Sequence, residues 1–261
     1  MELALLGTIF LSDKRKDSLL LLIDGPMSID DIKNNLNVTT SAIMTQIKIL
    51  IDHGLVVYAN DRYFLSNFGE VIARKMLPLV KTLQVYSDNL EYWDNHKFSS
   101  IPTLLQDRIS EIGSCSLVEP DLNRMYELPK DLEDNLAEAK TIMEVSSYFS
   151  PAYTSKYLEY ARKGVKMSLI VTEHVFERIR DEYRPTLEEF ISMGNVDLYV
   201  YHDDIGLASC IATDKFLSFA LFFKNGMYHN HAMIGYEKSA LKWGEALFEY
   251  FKTTSLYVDG I

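Results

Sequence analysis

A chain of 261 residues is long enough for one large domain or two smaller ones, and an apolar share of 48% with 24% charged residues excludes a disordered or fibrous chain. Its cysteines, Cys115 and Cys210, stand far apart, which excludes a disulfide framework and a thiolate metal site and suits a reducing cytoplasm. The net charge of −11 opposes non-specific attraction to nucleic acid, yet it is unevenly spread: residues 1–76 hold eight Lys/Arg against nine Asp/Glu, and residues 77–261 hold 18 against 28. Any nucleic-acid contact must therefore come from the nearly neutral first part and depend on where its cations sit. Leu3 to Leu11 is apolar but short and lacks a basic flank and a cleavage site. With no run long enough to span a membrane, a cytoplasmic protein without a membrane partner is expected.

In chain order, Leu3 to Leu11 reads as a short buried or amphipathic segment, and Lys14-Arg15-Lys16 leads into a helix through Leu19 to Ile23 that Gly25-Pro26 ends. Ser28 is a candidate N-cap for a second helix, with Asp30 and Asp31 in its first turn and Ile29, Ile32 and Leu36 as its apolar stripe. Asn37-Val38 is a tight turn. From Thr39 or Thr40 a third helix runs to Gly54, with Ile43, Ile47 and Leu50 on its inner face. Two helices joined by a short turn form a helix-turn-helix pattern, and the second helix would offer side chains to base edges.

Two β-prone runs, Leu55 to Ala59 and Arg62 to Leu65, flank Asn60-Asp61 and predict a hairpin, a wing with Arg62 near its tip. Beyond it Ile72, Met76, Leu79, Leu83, Tyr86, Leu90 and Trp93 follow a 4-3-4-3-4-3 spacing. This seam packs either on the chain's own core or, as we expect, on a second copy, with Pro78 kinking or breaking the helix. The expected dimer contacts are Ile72, Met76, Leu79, Leu83, Tyr86 and Leu90.

From about Ser99 helix and strand alternate. A short helix is expected from Leu104 to Ile112, strands at Thr141–Ser147 and Val165–Thr172 around a helix at Lys156–Arg162, further strands at Val196–Tyr201, Leu207–Thr213 and Phe216–Phe223, and a helix at Ser239–Lys252. The fold class is thus α/β. Its expected parts are a winged helix-turn-helix over 1–66, a helical linker and dimerisation segment over 67–98, and a sensor domain over 99–261.

For nucleic acid, the candidate readers are Thr40, Ser41, Met44, Thr45, Gln46 and Lys48, whose hydroxyl, amide, methyl and ammonium groups suit base edges; Lys33, Thr39 and Arg62 are phosphate candidates. For an effector, the carboxyl ends of the expected strands bring together Ser146, Ser147, Tyr148, Thr172, Glu173 and Tyr201, a set suited to a small polar or anionic molecule. His229 and His231 alternate as two ligands on one strand face would, but no nearby cysteine or carboxylate accompanies them, so neither a metal nor a cofactor is expected.

Several stretches resemble a known family. Ile29 to Val56 with Arg62-Tyr63-Phe64-Leu65-Ser66 is similar to ArsR-like winged-helix regulators of archaea. His96 to Leu105, Ser168 to Glu173, Thr213 to Ser218 and Trp243 to Phe248 resemble archaeal regulators named after a methanogenesis-regulatory protein. The resemblance implies a homodimeric, cytoplasmic transcriptional regulator that binds a double-stranded operator and whose second domain senses an unassigned signal. The cysteine pattern of metal-sensing ArsR relatives is missing, since residues 1–114 contain no cysteine.

Enzyme chemistry is not expected. The chain lacks a glycine-rich phosphate loop and a Gly-x-Ser-x-Gly elbow. A phospholipase-D-like scaffold of the kind found in sugar-responsive archaeal regulators would need His-x-Lys for its chemistry, and no histidine here is followed two positions later by lysine. The leading expectation is a ligand-modulated DNA-binding regulator. The alternative is a winged-helix module for protein contacts, with the acidic α/β domain as its partner surface.

Overall fold

The structure is a computed structural model that describes residues 2–119, 130–228 and 230–260. The chain divides into two compact units, Met1–Val80 and Lys81–Ile261.

The first unit follows from local signals that agree with one another. Helix α1 (Glu2–Phe10) is followed by α2 (Asp13–Leu21), which tightens into a 3-10 turn at Leu22–Asp24. Helix α3 (Ile29–Leu36) starts at a capping box: the Ser28 hydroxyl accepts from the Asp31 N–H at 3.1 Å, and the Asp31 carboxylate accepts from the Ser28 N–H at 3.0 Å. Asn37, left-handed at φ 51°, stops α3 and turns the chain into α4 (Thr40–Asp52), which Thr39 caps. The inward residues Leu19, Leu22, Ile32, Ile43, Ile47 and Leu50 form the core of this unit.

Strands β1 (Val56–Ala59) and β2 (Arg62–Leu65) form the expected hairpin, with Ala59 opposite Arg62. Its two turn residues, Asn60 at φ 52° and Asp61 at φ 58°, have the conformation of a tight turn that matches strand twist. Tyr63 is buried and exchanges two backbone hydrogen bonds with Met27, which fastens the hairpin to the segment entering α3.

Helix α5 (Asn67–Asp88) then runs 22 residues through Pro78, so of the expected kink or break the break is absent. It starts close under Leu55: a β-carbon on Gly69 would lie 1.9 Å from the Leu55 carbonyl oxygen. The seam is divided rather than continuous. Met76 is buried and Ile72 half-buried in the core of the first unit, whereas Leu79, Leu83, Tyr86 and Leu90 are exposed. Ile72 and Met76 are therefore corrected from dimer contacts to residues of their own core, because the face that begins α5 has Leu55 and Tyr63 to cover it.

Among the described residues, the second unit is built on a mixed sheet of eight strands. Helices α6 (Leu90–Asn95) and α7 (Thr103–Gln106) and a 3-10 turn at Ile109–Ile112 lead into β3 (Cys115–Val118). The expected single helix from Leu104 to Ile112 is split, and the Leu105 carbonyl accepts from both the Arg108 N–H and the Trp243 indole N–H. After α8 (Lys130–Ala137) come β4 (Thr141–Ser146), α9 (Pro151–Arg162) and β5 (Lys166–Thr172), with β4 and β5 parallel as the strand-helix-strand pattern requires. Next come α10 (Glu173–Glu182), α11 (Arg184–Ile191), β6 (Val196–Tyr201), β7 (Leu207–Thr213), β8 (Leu217–Leu221), β9 (Ala232–Gly235), α12 (Lys238–Lys252) and β10 (Leu256–Tyr257). The strand order is β10-β6-β5-β4-β7-β8-β9-β3, and β6, β5 and β4 are mutually parallel.

Side chains alternate across this sheet. Val145 and Ile170 pack with Trp243, Leu247 and Phe248 of α12 on one face. Ile142, Leu169 and Leu198 pack with Tyr157, Leu187 and Phe190 of α9 and α11 on the other. A cavity lies on the second face.

Candidate nucleic-acid face and ligand cavity

In α4, the spacing that buries Ile43, Ile47 and Leu50 leaves Thr40, Ser41, Met44, Thr45 and Lys48 exposed. These five form one solvent-facing row of two hydroxyls, a hydroxyl bonded to the Ser41 carbonyl (Thr45, 3.1 Å), a thioether and an ammonium. The Tyr63 hydroxyl donates to the Met44 sulfur at 3.5 Å, so the hairpin touches the same row.

The other candidates are committed elsewhere. Gln46 turns towards α2, where its Oε1 accepts from Arg15 at 2.7 Å and from the Ser12 hydroxyl at 3.4 Å; it is set aside as an adenine reader, because its carbonyl is already occupied. Thr39 spends its hydroxyl on the Ala42 N–H. Lys33 pairs with Asp30 at 3.1 Å. Arg62 donates to the Pro26 carbonyl at 3.0 Å and lies 4.0 Å from Asp31, so it folds against the start of α3 instead of extending from the hairpin. The pairs of Thr39, Lys33 and Arg62 are exposed, and exchange with a phosphate would cost little there, whereas those of Gln46 are partly buried.

The cavity of about 90 Å³ opens at the carboxyl ends of β4 and β5, beneath α9, α10 and α11. Its walls are mostly apolar, with Leu169, Val171, Val175, Ile179, Leu187 and Phe190. The polar part of the lining includes Glu144 with Tyr148, Tyr153, Tyr157 and Tyr183; Tyr157 bonds to Glu144, and Tyr183 packs on Phe149 with ring centres 5.4 Å apart. Tyr153 and Tyr157 lie one turn apart on α9 with rings stacked at 5.7 Å, and the Tyr148 and Tyr153 hydroxyls are 3.4 Å apart. Tyr157 donates to Glu144 Oε2. Burial pushes the Glu144 carboxyl up to about 7, against the partial relief given by Tyr157, and burial raises the Tyr157, Tyr148 and Tyr153 hydroxyls well above the ordinary range.

Of the expected effector residues, Ser146 and Tyr148 line this cavity and four do not. The Ser147 hydroxyl donates to the Leu207 carbonyl at 2.7 Å. Thr172 ends β5 and Glu173 begins α10 at once, with the Glu173 carboxylate 3.4 Å from the exposed His202 ring. Tyr201 points to the opposite face, its ring edge-on to Phe251 of α12 at 5.3 Å, because strand alternation sends Tyr199 and Tyr201 away from Leu198. Among the described residues, the cavity lining carries no lysine or arginine. Glu144, Tyr153, Tyr157 and Tyr183 were missed. The available signals were a lone charge at an inward position of a strand, two residues after Ile142, and tyrosines at i, i+4 on one helix.

A wider groove of about 680 Å³ lies at the other end of the same strands, lined by Lys166, Asp197, Asp214 and Lys242 among others. Of the histidine pair, His229 lies outside the described residues; among those described, no cluster of three or more metal-ligating side chains occurs. No described helix is long and apolar enough to cross a membrane.

Comparison with known proteins gives two domain matches. Residues 4–84 match the N-terminal domain, and residues 125–254 the middle domain, of the methanogenesis regulatory protein FilR1. A curated relative, the methanogenesis regulatory protein FilR1 of Methanothrix harundinacea (strain 6Ac), is 25% identical over 257 residues, covering 96% of this chain and 57% of the relative. This chain thus spans little more than half the relative's length. Among solved structures, the archaeal chromatin protein TrmBL2, described as showing a novel mode of DNA binding, is 12% identical with a TM-score of 0.45, covering 92% of this chain and 91% of its own. CalO1, a methyltransferase of calicheamicin biosynthesis, is 13% identical with a TM-score of 0.25, covering 78% and 64%. Likenesses at these scores carry no argument about fold or activity. The two domain matches do: the chain is a member of the methanogenesis regulatory protein FilR1 family, of which it carries the N-terminal and middle domains.

Proposed function

We propose that the chain is a homodimeric, cytoplasmic transcriptional regulator that binds an operator in double-stranded DNA through an ArsR-like winged helix and is modulated by a small molecule held in its α/β domain. It is not an enzyme in this reading. The observation that carries it is the row Thr40, Ser41, Met44, Thr45 and Lys48 on the second helix of the helix-turn-helix, exposed beside the hairpin. A helix buried on one side and polar on the other suits the major groove. Residues 1–66 act as the reading domain and 67–98 as the segment that pairs two copies, through the exposed Leu79, Leu83, Tyr86 and Leu90. Membership of a regulator family supports the reading.

A mobility-shift titration on the DNA upstream of the chain's own gene tests it. Binding should prefer that DNA over scrambled sequence, and Lys48→Ala should weaken it and make its salt dependence shallower by about one phosphate contact. Binding without sequence preference, or binding indifferent to Lys48→Ala and Arg62→Ala together, would overturn it.

A further inference from the structure

We propose that the cavity under α9, α10 and α11 is a site for a small alkylated ammonium ion, held by the Glu144 carboxylate and the faces of the surrounding tyrosines. The inference rests on the reading of this domain as a sensor and names the chemistry of what it senses.

Glu144 is 6% exposed, in the middle of a strand with β5 on one side and β7 on the other. One of its oxygens, Oε2, accepts from Tyr157; among the described residues Oε1 makes no hydrogen bond, and the residue lines the cavity. A buried carboxylate ordinarily has a positive partner. Among the described residues none lines this cavity: the other polar groups there are tyrosine, serine and threonine hydroxyls. Among the described residues, the charged and titratable groups that act on Glu144 and its neighbours are Tyr157 and Tyr153 from α9, Tyr148 after β4, Tyr228, and the buried Cys210 thiol of β7. None is a cation. Arg178 lies 4.7 Å from the centre of the Phe149 ring but is paired with Glu182 at 3.1 Å.

The walls complete the argument. Aromatic rings present negative faces to a cation, and several together around one point form a cage that favours alkylated ammonium over a hydrated metal ion. Apolar wall residues such as Val171, Val175, Ile179 and Leu187 suit its alkyl groups, and the cavity has room for several non-hydrogen atoms. An anion would meet Glu144 without a counter-charge, and a neutral apolar molecule would leave the carboxylate unpaired. The sign of the charge is therefore the specific content of the proposal.

The test titrates the full chain by calorimetry with tetramethylammonium and choline chlorides, with 3,3-dimethyl-1-butanol as the uncharged analogue of choline, and with acetate. At least one ammonium salt should bind saturably, the neutral analogue about tenfold or more weaker, and acetate not at all. Glu144→Gln should lose that preference for charge. Tyr153→Phe should retain affinity and Tyr153→Leu should lose it, since only the first keeps a ring face. Affinity should also fall about tenfold per pH unit below about 7, as a proton competes for Glu144. Equal binding of choline and its neutral analogue, preference for acetate, or no binding of either ammonium salt to a folded chain would overturn the proposal. The same salts are then added to the mobility shift. An ammonium ion that binds without changing DNA affinity leaves the site standing and overturns its sensing role; DNA binding without any ammonium site leaves the regulator reading standing.

Discussion

The Arg15 guanidinium donates to Gln46 Oε1 at 2.7 Å, and through its Nε to the Thr8 carbonyl, so one side chain on α2 ties α1 to α4. Gln46 is thus a structural residue in the middle of a helix whose outer row remains free for contacts. Gln46→Ala should lower the stability of the N-terminal unit by about 1 to 2 kcal/mol, since it removes a partly buried hydrogen bond to a charged donor. It should leave the sequence preference of DNA binding unchanged. Urea denaturation and a footprint at matched protein concentration check the two halves.

The divided seam gives a contrast within one helix. Leu83→Glu, on the exposed stripe, should convert a dimer to a monomer in sedimentation at micromolar concentration with little change in monomer stability. Met76→Ala should do the reverse: it opens a hole in the first unit's own core and should cost about 2 to 5 kcal/mol without touching the assembly state directly. If Leu83→Glu leaves sedimentation unaltered, the exposed stripe is not the dimer contact.

Gly69 tolerates no side chain. Gly69→Ala would push a β-carbon into the Leu55 backbone, and either α5 or the strand that follows Leu55 must move. A loss of about 3 kcal/mol is expected, the upper end of ordinary overpacking, because backbone cannot swing aside as a side chain can. Thermal unfolding of the variant measures it.

Glu144 also sets a pH dependence for the unliganded fold. Its folded carboxyl titrates at about 7, above the usual 4.5, so between those values the folded chain holds a proton that the unfolded chain has released. Stability from this group is full below pH 4.5, falls as pH rises, and is lost above about 7, a change of roughly 3 kcal/mol. Glu144→Gln should remove this slope. The difference between wild type and variant in urea midpoints at pH 5, 6, 7 and 8 isolates it from every other titrating group.

Cys115 and Cys210 are both buried, and burial pushes the Cys115 thiol up to about 12 and the Cys210 thiol higher still. Neither should react with a thiol reagent at pH 8 within the time needed to modify free cysteine completely, and both should react at once in urea. Fast labelling of the native chain would contradict the packing around β3 or β7.

The first unit was legible because its signals are local. Ser28 with Asp31, Asn37, Thr39 and Asn60-Asp61 each fix a cap or a turn within a few residues, and the stripe Ile43, Ile47, Leu50 fixes the buried face. In the second unit β6 and β7 were expected at their observed bounds, since continuous apolar or alternating runs mark them. What escaped was non-local. Strands β3, β9 and β10 are short, and their partners lie far away in sequence; β3 pairs with β9 across more than a hundred residues. The cavity escaped for a related reason. Ser147, Thr172 and Tyr201 stand at strand ends in sequence, but which side of the sheet each faces depends on register, and the tyrosines that line the cavity come mainly from α9 and its neighbours.

Pro78 lacks the N–H that would bond back to Arg74, yet α5 continues through it from Asn67 to Asp88. That turn is held by one backbone bond fewer than the turns on either side. In a rod, bending concentrates at the thinnest section. Met76, seated in the core of the first unit, lies just before this point, and the outward Leu79 just after it. Bending of α5 is therefore expected at Pro78 before the packing around Met76 is disturbed.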